Sequence, residues 1–112
     1  MIHVGPAGWS YADWEGRVYP RKKPPGFHAL PFLARFVPCL EINSTFYAPP
    51  RPERCQRWVR LLSTHEHFLL TAKLHRDFTH RPRADSRGEL EVAARVFLDG
   101  LAPLARAKRL AA

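Results

Sequence analysis

Apolar and polar positions along the 112 residues fall into short alternating runs separated by stretches of helical period, and the order of these runs is the first structural statement the chain makes. Residues 2–8, Ile-His-Val-Gly-Pro-Ala-Gly, read as a short strand with Ile2 and Val4 on one face, ended by glycine and proline. Residues 9–25 form a loop carrying Trp9, Tyr11, Trp14 and Tyr19 and closing on the basic run Arg21-Lys22-Lys23-Pro24-Pro25. A first helix is predicted over residues 28–36, with Pro31 tolerated in its opening turn and Pro38 marking its end. Residues 40–45 make a second strand, with Leu40 and Ile42 on one side and Glu41 and Asn43 on the other, because side chains alternate with a period of two.

Pro52 opens a second helix on which Cys55, Trp58, Val59 and Leu62 recur at helical spacing. Residues 68–75 give a third strand, with Phe68, Leu70, Ala72 and Leu74 on one face and Leu69, Thr71, Lys73 and His75 on the other. After a polar segment, 76–88, a last helix from Glu89 aligns Leu90, Ala94, Phe97, Leu101 and Leu104; Gly100 and Pro103 predict a kink or break near its end. Three strand-then-helix units imply parallel pairing through right-handed crossovers, hence an α/β class. Polar groups on one face of strands two and three, toward their C-terminal ends, suit the lumen of a barrel, whose upper end carries chemistry.

Composition adds three constraints. The length fits a single domain, and 46% hydrophobic residues argue for a packed core. No apolar run reaches the roughly 18 residues of a membrane span, and Met-Ile-His-Val-Gly-Pro lacks the pattern of a secretory leader, so a cytoplasmic location is expected. Cys39 and Cys55 have no metal-like spacing and read as small buried apolar groups. A formal charge of +8 favours anionic partners, with Arg76, Arg81, Arg83 and Arg87 as a candidate polyanion cluster, although arginine is scattered along the whole chain.

The candidate chemistry centres on Glu41, since a carboxylate inside a strand-like run needs a partner or a task. If strands two and three are neighbours, Glu41 and Asn43 converge with Thr71, Lys73 and His75 on one pocket. A carboxylate beside an ammonium serves as acid–base pair, anion anchor or plain salt bridge. Lys73 reads as a fixed charge for an anion or as a Schiff-base amine; a nearby Glu41 favours the charged form. We take Glu41, Lys73 and His75 as candidate catalytic groups and Trp9, Tyr11, Trp14, Asn43, Tyr47 and His80 as candidate substrate contacts. The aromatics serve equally as a stacking surface or as a loop packed on itself. Glu41, Asp77, His75 and His80 follow no metal-binding motif, His65 and His67 read as solvent-facing, and no cofactor is specified. Phosphate-cradling, dinucleotide and Ser-His-Asp signatures are absent.

Three blocks, Gly5-Pro6-Ala7-Gly8-Trp9-Ser10-Tyr11-Ala12-Asp13-Trp14, Glu41-Ile42-Asn43-Ser44-Thr45-Phe46-Tyr47 and Lys73-Leu74-His75-Arg76-Asp77-Phe78-Thr79-His80, resemble the YecE-like family, also called domain of unknown function 72. The resemblance implies a TIM barrel of somewhat over twice this length, of which residues 1–112 would be the N-terminal part, the first three β/α units. On this reading the chain is truncated, the family's next strand is expected to be missing after Leu110-Ala111-Ala112, and open sheet edges favour self-association. The resemblance supplies no reaction. Two functions stay open: an enzyme or ligand-binding barrel acting on an anionic substrate, a phosphorylated one among the candidates, or a non-catalytic nucleic-acid-binding protein using the arginines and the aromatic loop; a third outcome is that so short a chain is inactive alone.

Overall fold

The computed structural model describes residues 1–80 and 87–112. Two parallel strands, β1 (Cys39–Ile42) and β2 (Leu69–Ala72), form the sheet, with Glu41 opposite Thr71 and Ile42 opposite Ala72. Four α-helices accompany it among the described residues: α1 (Ala29–Leu33), α2 (Pro52–Leu61), α3 (Arg76–Thr79) and α4 (Arg87–Arg106). Leu40, Ile42 and Leu70, at 1%, 0% and 0% exposure, point to the helices and meet Leu30, Cys55, Trp58, Leu62, Phe97, Leu101 and Leu104 in one core. The opposite face carries Glu41 and Thr71, half-buried, with no helix of the described residues packed on it.

The ladder extends beyond both strands. Glu41 donates its N–H to Pro6 and accepts from Gly8, so residues 6–8 pair in parallel with β1. Pairing begins no earlier, and Ile2 and Val4 are 89% and 73% exposed rather than packed on a strand face. On the other edge Leu70 donates to Arg109 and accepts from Ala111, while Ala72 donates to Ala112. Residues 109–112 thus run alongside β2, with Leu70 and Leu110 in a parallel bridge. Spatial order follows chain order, 6–8, β1, β2, 109–112, each step crossing a helix-bearing segment.

Both strands are shorter than their apolar patterns predicted. Asn43 turns to αR backbone and leads into a 3₁₀ turn, Ser44–Phe46, whose buried Thr45 hydroxyl sits 2.6 Å from the Lys73 carbonyl oxygen and 3.0 Å from that of Ile42. One hydroxyl thereby joins the ends of β1 and β2. His75, expected on a strand, caps α3 instead: its Nδ1 accepts from the Asp77 N–H at 3.2 Å. His28 caps α1 in the same way, accepting from Leu30 N–H at 3.0 Å, so the helix starts one residue later than its apolar run.

α4 continues through Gly100 and Pro103 to Arg106, so the break expected as one outcome there does not occur. Gly100 is buried because a Cβ there would overlap the Pro50 carbonyl oxygen, and this contact seats α4 against the turn that opens α2. The outer side of α4 leaves Val92, Val96 and Leu98 exposed. Arg109 is 8% exposed, and its guanidinium donates to the carbonyls of Leu62, His65 and Phe68 in the turn after α2, two of which also accept a backbone N–H within that turn. No helix among the described residues is long and apolar enough to cross a membrane.

Candidate functional site

The strands run out at Gly8 and Ile42, and the segments that follow them curl toward the N-termini of α1 and α2. Between these segments opens a cleft of about 490 Å³. Its walls are Gly8, Trp9, Ser10 and Tyr11 after the first ladder, Asn43, Ser44 and Tyr47 after β1, His28 at the start of α1, and Arg54, Arg57 and Trp58 on α2. Such a position, where strands end and helices begin, is the usual binding end of a parallel α/β sheet.

The loop forming one wall is held by its own rings. Tyr19, 4% exposed, donates its hydroxyl to the Trp9 carbonyl at 2.6 Å, and Trp9 stands edge-on to Trp58 at 5.3 Å between centroids. Trp14 bridges Tyr11 and Tyr19 at 4.9 and 5.9 Å. Burial, with a smaller push from Glu15, raises the Tyr19 phenol to about 12, so it stays a neutral donor. Trp14 thus supports the wall from behind, and Trp9 and Tyr11 face the cleft.

Gly8 is placed by two demands. Its φ of +79° suits glycine, and a Cβ would lie 2.8 Å from the Tyr11 hydroxyl and 3.0 Å from Asn43 Nδ2. Those two atoms are part of a relay: Tyr11 donates to the Ala7 carbonyl, which leaves its oxygen to accept from Asn43 Nδ2 at 3.3 Å. The amide is thereby oriented, and its buried Oδ1 has no partner among the described residues.

Positive charge comes from α2. Arg54 and Arg57 are one turn apart, both exposed, and among the described residues neither is within 4.0 Å of a carboxylate. Like charges at this spacing cost an isolated helix a few tenths of a kcal/mol, and a cation in the first turn opposes the helix dipole. His28 faces the same space. Burial first, and the Arg57 guanidinium second, lower its pKa from 6.5, and Nδ1 is committed to the cap, so the ring is neutral with Nε2 carrying the proton. A neutral donor beside two guanidiniums favours an anion.

The predicted residues divide into groups. Asn43, Trp9, Tyr11 and Tyr47 line the cleft; Glu41, Lys73, His75, His80 and Trp14 do not. Glu41 lies on the open sheet face with Thr71 as its register partner, and Lys73 is two residues farther along. No ion pair joins Glu41 to Lys73: the ammonium sits over the Phe46 ring at 5.3 Å. His75 is 9% exposed, with Asp77 Oδ2 3.6 Å from the capping nitrogen. His80 stacks edge-on to Phe46 at 5.3 Å. Of the proposed arginine cluster, Arg87 pairs with Glu91 at 3.1 Å, Arg76 is partly buried in α3, and Arg81 and Arg83 lie outside the described residues. Cys39 and Cys55 are free thiols, and burial raises Cys55 to about 11.

Sequence reasoning missed His28, Arg54, Arg57 and Trp58. A signal was present for the arginines, since an unpaired i, i+3 basic pair follows Pro52 directly on a helix whose only acid is Glu53.

These features define a parallel α/β chain with a basic, aromatic-walled cleft at the ends of its strands. The family model described as "Protein of unknown function DUF72" matches residues 3–112, and the chain belongs to that family. Among solved structures it is similar to a DUF72 family protein of Enterococcus faecalis V583, seen in two crystal structures. One aligns with TM-score 0.59 and 26% identity over 74% of this chain and 33% of the other. The second aligns over 100% of this chain and 38% of the other, with TM-score 0.69, and at 24% identity the likeness is one of fold. The chain therefore spans about a third of the length of the solved structures it matches. No curated protein matches it.

Proposed function

We propose that the chain forms the first three β/α units of a TIM barrel and that its strand-end cleft binds an anionic, phosphorylated small molecule. Arg54 and Arg57 hold the anion, the His28 Nε2–H donates to it, and Trp9, Tyr11 and Trp58 bound the rest of the ligand. The observation that carries the reading is the pair of guanidiniums with no carboxylate partner among the described residues, in a cleft of ligand size. Glu41 and Lys73, on the open sheet face beside Asn43, are the acid–base candidates of the complete barrel, where a lumen would bring them under the bound ligand. His75 and His80 belong to the same proposal as groups on the loop after β2.

Trp9 and Trp58 are natural reporters of occupancy. Titration with inorganic phosphate and a sugar monophosphate changes tryptophan fluorescence saturably, and Arg57→Ala weakens the sugar phosphate by roughly tenfold to a hundredfold, as expected for a charge-assisted hydrogen bond of about 1.5–3 kcal/mol. Glu41→Gln leaves this binding intact. Absence of saturable binding at millimolar phosphate, or indifference to Arg57→Ala, overturns the assignment.

A further inference from the structure

The strand-end cleft does not stop at Arg54. A second hollow of about 370 Å³ adjoins it, lined by Pro49, Pro50 and Arg51. The two share Ser44, Tyr47, Arg54 and Trp58, so they form one continuous groove over the first turns of α2. Arg51 stands at one end, Arg57 at the other, and Arg54 between them. None of the three is within 4.0 Å of a carboxylate among the described residues.

The far hollow is built rather than incidental. Its proline wall is held in place by α4, because Gly100 lies so close to Pro50 that not even a methyl group fits between them. Tyr47, 67% exposed, lines both hollows and offers a ring to whatever crosses from one to the other.

Resting on the anion-binding reading of the cleft, we infer that the ligand carries two anionic groups, one held by Arg57 and Arg54 and the second by Arg51, with its carbon frame lying across Tyr47. Arg51 is the extended residue before α2 and Arg57 lies five residues beyond its first residue, so their backbone positions are on the order of 8–10 Å apart at about 1.5 Å per helical residue, a scale that suits two separate anions. That span fits a hexose phosphorylated at both ends better than a pyrophosphate, whose charges sit much closer together. Hollows of this volume suit a small molecule rather than a polymer.

The test compares fructose 1,6-bisphosphate, fructose 6-phosphate, pyrophosphate and a short thymidine oligonucleotide by calorimetry on the whole chain, with circular dichroism confirming that each variant folds. The bisphosphate binds at least tenfold tighter than the monophosphate. Arg51→Ala removes that advantage without altering monophosphate affinity, whereas Arg57→Ala weakens both. Equal affinity for the two sugars, or Arg51→Ala without effect on the bisphosphate, overturns the second subsite while the first stands. Tighter binding of the oligonucleotide than of the bisphosphate, falling steeply with salt, overturns the small-molecule assignment in favour of a polynucleotide. Failure of every phosphate compound to bind overturns both readings.

Discussion

Single side chains in this molecule often serve two structural masters, and their substitution separates them. Gly8 must be left-handed and must leave room for Tyr11 and Asn43. Gly8→Ala is therefore expected to cost about 2 kcal/mol, most of it backbone strain, and to disturb the relay that orients Asn43. Chemical denaturation measures the loss. His28 gives a pH signature. Its folded pKa is depressed, so the unfolded chain binds its proton more readily, and stability is full above pH 6.5 and declines as pH falls through the lowered folded value. His28→Asn keeps a capping side chain without a titrating ring, and melting temperatures between pH 7 and 5 should then decline less steeply than in the parent. Cys55, pushed to about 11 and buried, should resist thiol reagents at pH 7.5 until the protein unfolds.

At the scale of elements, the apolar pattern located both strands and all the longer helices, because those depend on local periodicity. It misjudged where they stop. Strand two read through to Thr45, yet the chain leaves the ladder at Asn43 because the Thr45 hydroxyl ties it back across to Lys73. His75 continued an alternating pattern on paper but caps a short helix, a role set by a backbone turn that periodicity does not encode. Pro103 and Gly100 read as weak points of α4, whereas packing against Pro50 overrides their low helix propensity. Gly100→Ala improves intrinsic propensity by up to about 1 kcal/mol, but the overlap with Pro50 reverses the sign, and a lowered melting temperature is expected. Arg109 is the least legible residue of all: nothing in Lys108-Arg109-Leu110 announces that its guanidinium collects three carbonyls some forty residues away. Arg109→Ala should destabilise by about 1–3 kcal/mol through loss of these charge-assisted hydrogen bonds, read by chemical denaturation, with Arg109→Lys recovering only part.

For the whole molecule, the α/β class with parallel pairing was legible from the strand-then-helix order, and the family from three blocks of residues. The cleft was half legible. Its aromatic wall and Asn43 stood out as chemistry-bearing residues, but the contribution of α2 depends on how a helix face turns relative to a loop forty residues earlier, which no local pattern reports. Among the described residues no layer covers the sheet face that bears Glu41 and Thr71. Open ladders and an uncovered face favour pairing between copies, so sedimentation of the chain should show mass rising with concentration. A constant monomeric mass across the micromolar range would contradict that expectation.

The all-parallel, in-sequence ladder also bears on how the chain reaches this state. Cys39 meets Leu69 and Leu70 meets Leu110, so each strand contact closes a loop of thirty to forty residues and no hairpin is available as a local nucleus. Folding must first gather helices onto an unpaired ribbon and only then zip the backbone. The refolding rate is therefore expected to be slow for a chain of this size and sensitive to residues at the α2–α4 contact.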